Sequence, residues 1–454
     1  MKLLDAISSN TELQFVDAQT DQSYRIEELS SITFPIKENR NLIFIYCAND
    51  LSSLRAFFSS WKSNAVIALL ARELHAEFKI SLENTYKPDI VFDTSRDQIN
   101  GYRKLEFYFQ NEENFDREIH AKLKLLLNTS GTTGSPKFVK LSEENLYQNA
   151  QSILNYLPIN HTDVAPMNLP FHYSFGLSVL TTNAIGGGKI IFNLDDILKR
   201  EFWQSAEKYA FSSYSGVPYV YDIFKRTGFF KKEHKGLRYL IQAGGKLQEN
   251  LVREFAEYAQ QNNVLFYVMY GQTEATARMS YLPPDKILEK SGSVGIAIQN
   301  GEFMVDPMTA ELAYSGPNVF GGYSENPGDL KTFNSPNWLF TGDLARMDAD
   351  GFVYITGRSK RMIKITGNRM NLDEVESLLS AAFGNAVFAA TGEADKKLVV
   401  AHNHLGIANT DISEYLRNHL GVHPAFVKSI YLEQFPLTAN GKPDYRKILE
   451  LAGN

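Results

Sequence analysis

The sequence predicts an α/β fold: a large N-terminal domain of parallel-rich sheets with helices plus a small β unit, then a small α+β C-terminal domain. Three observations predict it. Apolar runs alternate with helical patterns over most of the chain, short strands between turn residues follow Gly292, and a compact mixture of both follows Arg358. With 454 residues, of which 44% are hydrophobic, the chain has ample apolar material for a large core.

The alternation of strands and helices begins early in the chain. The run NLIFIYC is typical of a buried strand, and LSSLRAFFSSWKS after it carries apolar residues at helical spacing. A second amphipathic helix is predicted at NLVREFAEYAQQ, between two strand candidates. Further strand candidates are AVIALL, DIVF, KLLLN, KIIF and RYLIQAGG. This order favours parallel sheets with helices on both faces.

The pattern changes in the last third of the chain. GEFMV, ELAYSG, WLFTGD and GFVYITGR are short strand candidates separated by turn residues, which predicts a small antiparallel unit. A tail of domain size follows, with strand-like RMIKIT and KKLVVAHN and helix-like NLDEVESLLSAAF and DISEYLRNHL. We place the boundary between Ser359 and Lys360, which gives domains of residues 1–359 and 360–454.

Charge and composition exclude several classes of protein. The net charge is −6 and no run of Lys and Arg stands out, so a nucleic-acid partner is not expected. The single cysteine, Cys47, excludes an internal disulfide framework, and its apolar surroundings indicate a buried structural thiol. The N-terminal residues lack the apolar core of a signal peptide, and the apolar runs are too short to span a bilayer. We therefore expect a cytoplasmic protein without a membrane span.

A loop rich in Ser, Thr and Gly follows the strand candidate KLLLN. Gly131 and Gly134 permit close approach of a ligand, and successive N–H groups in such a loop form an anion-binding nest. Hydroxyl groups add donors, and Lys137 supplies a positive charge. The pattern favours binding of a polyphosphate, although the spacing differs from the common P-loop. A hydroxyl-rich surface turn is the alternative.

Other polar motifs follow strand candidates farther along the chain. In YGQTEAT, Tyr270 could stack on a base, Thr273 could contact a phosphate, and Glu274 could bind Mg²⁺ through carboxylate oxygen. The carboxylate of Asp343 in TGD could accept both hydroxyls of a ribose. Taken singly, each motif could also be an ordinary turn, and Arg358 and Lys442 could be solvated charges.

The order of these motifs resembles that of the adenylate-forming superfamily of acyl-CoA and aryl-CoA ligases, luciferases and adenylation domains of peptide synthetases. TSGTTGSPK resembles its phosphate loop, QAGGKL its adenine-flanking segment and YGQTE its aromatic and magnesium motif. ELAYSGPNVFGGY, TGD, GRSKRMIKITGNRMNLDEVE and NGK follow in the family's order. The resemblance is continuous from Leu123 to Arg446. It departs at Phe138, where the family often has Gly, at Glu143, and in the slightly longer segment after Lys442.

The resemblance implies a two-step reaction with ATP, Mg²⁺ and a thiol. A carboxylic acid attacks the α-phosphate of ATP to give an acyl-adenylate and pyrophosphate, and CoA or the phosphopantetheine of a carrier protein acting in trans then displaces AMP. Phosphate contacts are implied for Thr129, Ser130, Gly131, Thr132, Thr133, Gly134, Thr273 and the catalytic Lys137. Adenine contacts are implied for Gly244, Gly245 and Tyr270, and a contact with ATP for Gly271. Ribose contacts are implied for Asp343 and Arg358, and a magnesium contact for Glu274. Lys442 would bridge the acid and the α-phosphate, and Lys360 would be the hinge between two conformations.

The segment LPFHYSFGLSVL resembles the family's acid pocket and implies pocket positions for His172, Tyr173, Phe175 and Gly176. His172 could orient the carboxylate or gate the pocket, and a half-buried histidine satisfied by backbone is the alternative. Amino-acid-activating members carry an Asp where this chain has Gly176, which favours an acid without an α-amino group.

The sequence therefore predicts an AMP-forming acid–thiol ligase, with CoA as the favoured acceptor. A stand-alone amino-acid-activating enzyme that loads a carrier protein and a catalytically inactive nucleotide-binding protein are the alternatives. The acid itself, the thiol acceptor and the oligomeric state are not predicted.

Overall fold

The computed structural model describes residues 3–35, 40–63, 65–113, 115, 117–128, 137–365, 368–384, 386–438 and 443–453. It divides into two compact units, and the large unit comprises Met1–Glu302 and Tyr314–Leu339. The small unit comprises Phe303–Ala313 and Phe340–Asn454. The two sets of residues differ from the predicted domains in placing the small antiparallel sheet with the C-terminal residues. The hinge at Lys360 stays a prediction, because compactness alone does not show motion.

Helices lie in both units. In the large unit they are α1 (Leu3–Ser8), α2 (Ile26–Leu29), α3 (Leu51–Lys62), α4 (Ala76–Tyr86), α5 (Glu143–Leu154), α6 (Ser174–Gly186), α7 (Arg200–Tyr209), α8 (Pro218–Arg226) and α9 (Glu249–Gln261). In the small unit they are α10 (Leu372–Phe383), α11 (Asn409–Leu420) and α12 (Tyr445–Gly453). Over the residues that the structure describes, none of the helices is both long and apolar enough to cross a membrane.

One sheet of the large unit forms around the apolar run that contains Cys47. Its strands are β3 (Leu42–Cys47), β4 (Val66–Ala71), β5 (Ile90–Phe92), β6 (Tyr102–Lys104), β7 (Phe109–Asn111), β8 (Leu123–Asn128), β9 (Phe138–Ser142) and β19 (Tyr323–Ser324). The order is β19-β9-β8-β4-β3-β5-β7-β6, with β5, β3, β4 and β8 parallel. Cys47 is fully buried in this sheet, and burial raises the pKa of its thiol.

A second sheet of the large unit carries the predicted adenine and magnesium motifs. Its strands, in sheet order, are β12 (Ser213–Gly216), β13 (Tyr239–Gln242), β14 (Leu265–Tyr270), β15 (Ser280–Leu282) and β16 (Ile296–Ala297). Strands β12, β13 and β14 are parallel, and β15 and β16 are antiparallel to their neighbours. The carboxyl ends of parallel strands are where open α/β sheets bind ligands.

A third sheet of the large unit leads into the predicted acid pocket. Its strands, in sheet order, are β10 (Val164–Pro166), β11 (Lys189–Phe192), β1 (Gln14–Asp17) and β2 (Ser23–Tyr24). The acid-pocket segment follows β10 and continues into the first turns of α6, which returns the chain to β11.

The small unit contains the antiparallel sheet and the C-terminal α+β part. The antiparallel sheet has the order β17 (Glu302–Val305), β18 (Glu311–Ser315), β20 (Leu339–Met347) and β21 (Val353–Arg358). The remaining strands are β22 (Met362–Ile365) paired with β23 (Asn368–Asn371), and β24 (Phe388–Glu393), β25 (Lys397–His402) and β26 (Val427–Tyr431) in one sheet. The α/β fold class is confirmed, since apolar runs became strands and the 3.6-residue patterns became helices.

Candidate active site

The predicted phosphate loop connects two paired strands. Strands β8 and β9 are antiparallel, and Asn128 lies opposite Phe138 in the register. Thr129, Ser130, Gly131, Thr132, Thr133 and Gly134 lie outside the described residues. The register therefore places both ends of the loop side by side.

Lys137, at the exit of that loop, is half-buried and lies over an aromatic ring. Its Nζ is 3.7 Å from the centroid of the Tyr323 ring, which is a cation–π contact. The contact follows from the sheet, because β19 pairs with β9 and sets Tyr323 opposite Val139. Tyr323 lies in the quoted motif FGGY, but sequence reasoning gave it no role.

Tyr323 also connects the loop to the predicted magnesium residue. Its hydroxyl donates a hydrogen bond to Glu274 Oε1 at 2.8 Å. Burial raises the pKa of the Tyr323 hydroxyl, and the negative charge of Glu274 raises it further, so the hydroxyl keeps its proton. Lys137, Tyr323 and Glu274 thus form one continuous cluster, and among the described residues no hydrogen bond to the second carboxylate oxygen of Glu274 is found.

The loop that carries Glu274 turns back sharply on its own strand. Thr276 and Ala277 have φ angles of 53° and 88°, and such values are uncommon for residues with a side chain. A Cβ built on Gly271 would lie 2.0 Å from the carbonyl oxygen of Ala277, so only glycine fits there. The amide of Met279 donates to the carbonyl of Tyr270 at 2.9 Å and closes the turn. Backbone in sparsely populated regions is concentrated at functional sites.

The predicted adenine residues lie at the carboxyl ends of β13 and β14. Gly244 has a φ of 84°, and a Cβ there would meet Val217 at 3.1 Å and the Tyr173 hydroxyl at 3.5 Å. Tyr270 is the last residue of β14. A Cβ on Gly245 would meet Pro218 at 3.1 Å. The geometry brings the adenine-flanking segment against the acid-pocket segment.

Four hydrogen bonds fix the acid-pocket segment in this position. Ser174 Oγ and Thr273 Oγ1 are 3.1 Å apart, which joins the first turn of α6 to the YGQTE loop. The Asn49 side-chain amide donates to the carbonyls of Met167 and Leu169 at 2.7 and 2.8 Å. Its carbonyl oxygen accepts from the amide of Phe171 at 3.1 Å. Asn49 is a positioning residue that sequence reasoning missed, since a lone Asn after a strand is usual at turns.

His172 and Tyr173 are both half-buried in this segment. Burial lowers the pKa of His172, so the imidazole is held neutral. Its Nδ1 is buried without a hydrogen-bond partner among the described residues. A histidine with an unused buried nitrogen fits a pocket better than the alternative of a side chain satisfied by backbone.

A buried arginine, Arg278, is the second residue that sequence reasoning missed. Only 3% of Arg278 is exposed, and its guanidinium carbon lies 4.1 Å from the centroid of the Phe175 ring. Its Nε donates to Met269 Sδ at 3.2 Å. The proximity of YGQTEAT was the available signal, but an isolated arginine in a sequence usually indicates a solvated charge.

The predicted ribose residues lie together in the small unit. Asp343 and Arg358 are opposite each other in the register of β20 and β21, and Arg358 Nε is 3.2 Å from Asp343 Oδ1. Lys360 lies in the 3₁₀ helix Ser359–Arg361, and Lys442 lies outside the described residues. The two ribose candidates therefore already form one pair, which a diol could share.

The chemistry of Glu274 fits a magnesium ion held jointly with a nucleotide. Among the described residues there is no group of three His, Cys, Asp or Glu side chains arranged to bind a metal ion. Mg²⁺ commonly binds through one or two carboxylates, substrate phosphates and water, so a single carboxylate beside a phosphate loop suffices.

Comparison with known proteins decides the family. A family model described as AMP-binding enzyme matches residues 37–324, which is more than half of the chain. The chain belongs to the AMP-binding enzyme family. This confirms the resemblance to adenylate-forming enzymes that the ordered motifs indicated.

The relatives of this AMP-binding enzyme include CoA ligases. An oxalate–CoA ligase of Arabidopsis thaliana is 27% identical over 72% of this chain and 67% of its own length. A 2-succinylbenzoate–CoA ligase of Staphylococcus epidermidis is 24% identical over 98% of this chain and 96% of its own length.

Solved structures of o-succinylbenzoate CoA synthetase (MenE) from Bacillus subtilis share the fold of this AMP-binding enzyme. The complex with the acyl-adenylate intermediate has a TM-score of 0.76 at 20% identity and covers 98% of this chain and 97% of that one. The complex with ATP and magnesium ion has a TM-score of 0.75 at 20% identity and covers 99% of both chains. The likeness extends over both predicted parts of the fold.

Proposed function

We propose that the protein is an AMP-forming ligase that activates a small carboxylic acid with ATP and transfers the acyl group to CoA. The cluster of Lys137, Tyr323 and Glu274 carries the proposal, because it joins the lysine that ends the predicted phosphate loop to a carboxylate that would suit Mg²⁺. Family membership and the CoA ligases among the relatives support it. A cytoplasmic location, as the sequence predicts, is part of the proposal.

The first step joins two anions, so its barrier is dominated by charge. A carboxylate oxygen of the acid forms a bond to the α-phosphorus of ATP, and the bond from that phosphorus to pyrophosphate breaks. Positive groups aimed at the phosphates stabilise the charge that accumulates. We assign this role to Lys137, to the loop Thr129–Gly134 and to Lys442, while Glu274 would hold Mg²⁺, which neutralises phosphate charge.

The second step transfers the acyl group. The sulfur of CoA forms a bond to the carbonyl carbon of the acyl-adenylate, AMP leaves, and the thiol proton passes to solvent. We propose that Tyr270, Gly244 and Gly245 bind adenine, that Gly271 contacts ATP, that Thr273 contacts a phosphate, and that Asp343 and Arg358 bind the ribose.

The acid-pocket geometry supports an acid without an α-amino group. A Cβ on Gly176 would lie 2.2 Å from the carbonyl oxygen of Pro170, so no side chain fits at this position. An Asp that could pair with a substrate ammonium is therefore excluded sterically. A buried ammonium without a partner carries a large desolvation penalty.

ATP–pyrophosphate exchange with a panel of acids and their α-amino analogues tests the proposed function. We expect exchange with simple carboxylic acids, and AMP and acyl-CoA once CoA is added. Far better exchange with an α-amino acid would support the carrier-loading alternative, and no exchange with any acid would support a nucleotide-binding protein without catalysis.

Two variants separate the half-reactions. Lys442→Ala is expected to abolish adenylation yet convert a supplied acyl-adenylate to thioester, because charge between acid and phosphate is needed only in the first step. Lys360→Pro fixes φ and removes an N–H, so it should slow thioester formation and spare adenylation. Equal loss of both steps in Lys442→Ala would contradict its role, and normal turnover in Lys360→Pro would contradict the hinge.

A further inference from the structure

Arg278 is a buried cation that lacks an anionic partner. Its guanidinium contacts the face of Phe175, the sulfur of Met269 and, at 3.5 Å, the carbonyl oxygen of Ala277, and it interacts with the Tyr156 hydroxyl. Among the residues that the structure describes, no carboxylate lies within ion-pair distance of it. Ring and sulfur contacts do not replace the solvation that an ion loses on burial, so such an ion normally has a counter-charge.

The surroundings of Arg278 are apolar or aromatic. Met269 belongs to a core cluster with Tyr239 and Ile241, and Tyr173 and Phe175 pack in the same cluster. Tyr156, which lies beside Arg278, stacks on Tyr281 with ring centroids 3.9 Å apart. Burial lowers the pKa of the Arg278 guanidinium, and an anion in contact with it would favour its charged form. The guanidinium thus lies against Phe175, a residue of the predicted acid-pocket segment.

A second positive feature belongs to the acid-pocket segment itself. Helix α6 begins at Ser174, and no side chain caps it. The first N–H groups of a helix have no partner within the helix, and this end carries partial positive charge. Phe175, on which the guanidinium stacks, lies in this first turn. The α6 terminus and the buried guanidinium therefore both add positive charge to the surroundings of the acid-pocket segment.

We propose that Arg278 binds a second, non-reacting carboxylate of the substrate, so that the preferred acid is a dicarboxylic acid. The inference rests on the proposed acid activation and adds the substrate class. The reacting carboxylate must meet the phosphates beside Lys137 and Glu274, whereas Arg278 faces the aromatic interior. A guanidinium suits this role because its planar donors match the two oxygens of a carboxylate.

The test compares dicarboxylic acids of increasing length with their monoamides, which keep the shape and lose one charge. In ATP–pyrophosphate exchange, we expect kcat/KM of the best dicarboxylic acid to exceed that of its monoamide by about 100-fold or more, because sites with buried polar groups reject analogues that leave them unpaired. Arg278→Met should bring this ratio close to one. Arg278→Lys should restore part of it, since lysine supplies a charge but no planar pair of donors.

The matched control is Arg226→Met, which removes an exposed arginine from α8 of the same unit and should leave the ratio unchanged. Thermal unfolding without substrate verifies that each variant folds. Should Arg278→Met fail to fold, the wild-type ratio and Arg278→Lys still decide the matter.

Three results would overturn the inference. A wild-type ratio near one would show that the second charge is not recognised. An equal loss with dicarboxylic acid and monoamide in Arg278→Met would assign Arg278 to the reacting carboxylate. Absence of any thermal stabilisation of the wild-type protein by dicarboxylic acids relative to monoamides would remove the binding site itself.

This last measurement needs no catalysis and separates the two proposals. Stabilisation by the dicarboxylic acid that depends on Arg278, without exchange for any acid, would support the anion site and overturn the ligase function. Exchange with equal kcat/KM for dicarboxylic acids and their monoamides would support the ligase function and overturn the anion site.

Discussion

Two regions of the large unit bury positive charge in opposite ways. Near strand β5, Lys79 Nζ lies 2.8 Å from Asp93 Oδ2, Arg96 Nε lies 2.7 Å from the same oxygen, and Glu83 accepts from the Arg96 guanidinium. In the acid-pocket region, Arg278 is buried to a similar degree, but among the described residues its contacts are with rings, a sulfur, a hydroxyl and a carbonyl, and none is with a carboxylate. The first region is complete without a ligand. In our proposal, a substrate anion completes the second region, whereas the cations of the first region have a structural role only.

Removing a counter-charge from the complete region should have the largest effect on stability. Asp93→Ala leaves Lys79 and Arg96 with excess positive charge in a buried setting, and we expect the free energy of unfolding to fall by about 3–5 kcal/mol. Arg278→Met, which removes a buried ion that has no counter-charge, should change it by less than about 1 kcal/mol. Urea denaturation measures both. If Arg278→Met lost as much free energy of unfolding as Asp93→Ala, the two regions would not differ in the way described above.

In the acid-pocket region, adding a methyl group at Gly176 should lower the free energy of unfolding more than removing the charge of Arg278. In Gly176→Ala the new methyl group meets the carbonyl oxygen of Pro170, and we expect a loss of about 1–3 kcal/mol in unfolding free energy. Gly453→Ala is the control, because a Cβ there meets nothing within 4 Å. A stable Gly176→Ala protein would indicate that the first turn of α6 is more adaptable than the geometry implies.

Glu274 offers a further contrast with Asp93, because its hydrogen-bond donor is the neutral hydroxyl of Tyr323 and not a cation. Tyr323→Phe keeps the ring under Lys137 and removes the hydroxyl, so we expect about a tenfold rise in the Mg²⁺ concentration for half-maximal exchange. Tyr209→Phe is the control, since Tyr209 also donates to a carboxylate, that of Asp21, at 2.5 Å. An unchanged magnesium requirement would mean that Tyr323 does not orient Glu274.

As the pH falls, the contribution of His172 to stability should be lost before the contribution of Asp93. Burial raises the pKa of Asp93, but hydrogen bonds from Lys79 and Ser95 outweigh it, so the net shift is downward and its stabilising charge persists until the pH falls through that lowered value. Burial lowers the pKa of His172, so the unfolded chain takes up a proton near pH 6.5 while the folded protein resists it. Stability therefore falls as the pH drops through the unfolded value.

The histidine contribution has the smallest expected effect and a direct measurement. We expect His172→Asn to lose less unfolding free energy than the wild type between pH 7 and pH values well below 6.5. Exposed His161→Asn should follow the wild-type profile. The same slope in His172→Asn and wild type would assign the acid sensitivity to His234 and His402, for both of which burial lowers the pKa.

The strands and helices were predictable because each depends on a local pattern. The buried run of β3 and the apolar spacing of α3 need no knowledge of distant residues. The relation of Glu274 to the phosphate loop was predictable only through the family resemblance. The roles of the site residues stay predictions, including those of Lys442 and of Thr129–Gly134, which lie outside the described residues.

Tyr323 and Arg278 show what local patterns omit. Tyr323 reaches Glu274 because β19 pairs with β9, and the two strands are far apart in sequence. Arg278 is buried because the turn after Gly271 folds its backbone against β14. Neither the Tyr323–Glu274 contact nor the burial of Arg278 follows from a periodic pattern in the sequence. Both became visible only in the folded structure.

The burial of Cys47 has a practical consequence for every assay proposed above. Because the chain has one cysteine, and its thiol lies inside a sheet at 0% exposure, the folded protein should contribute almost no background to a colorimetric thiol reagent. Consumption of CoA could then be followed as disappearance of free sulfhydryl in the presence of native enzyme. The Cys47 side chain also allows local opening of strand β3 to be measured. The rate at which an alkylating reagent labels the thiol reports how often that strand is exposed to solvent.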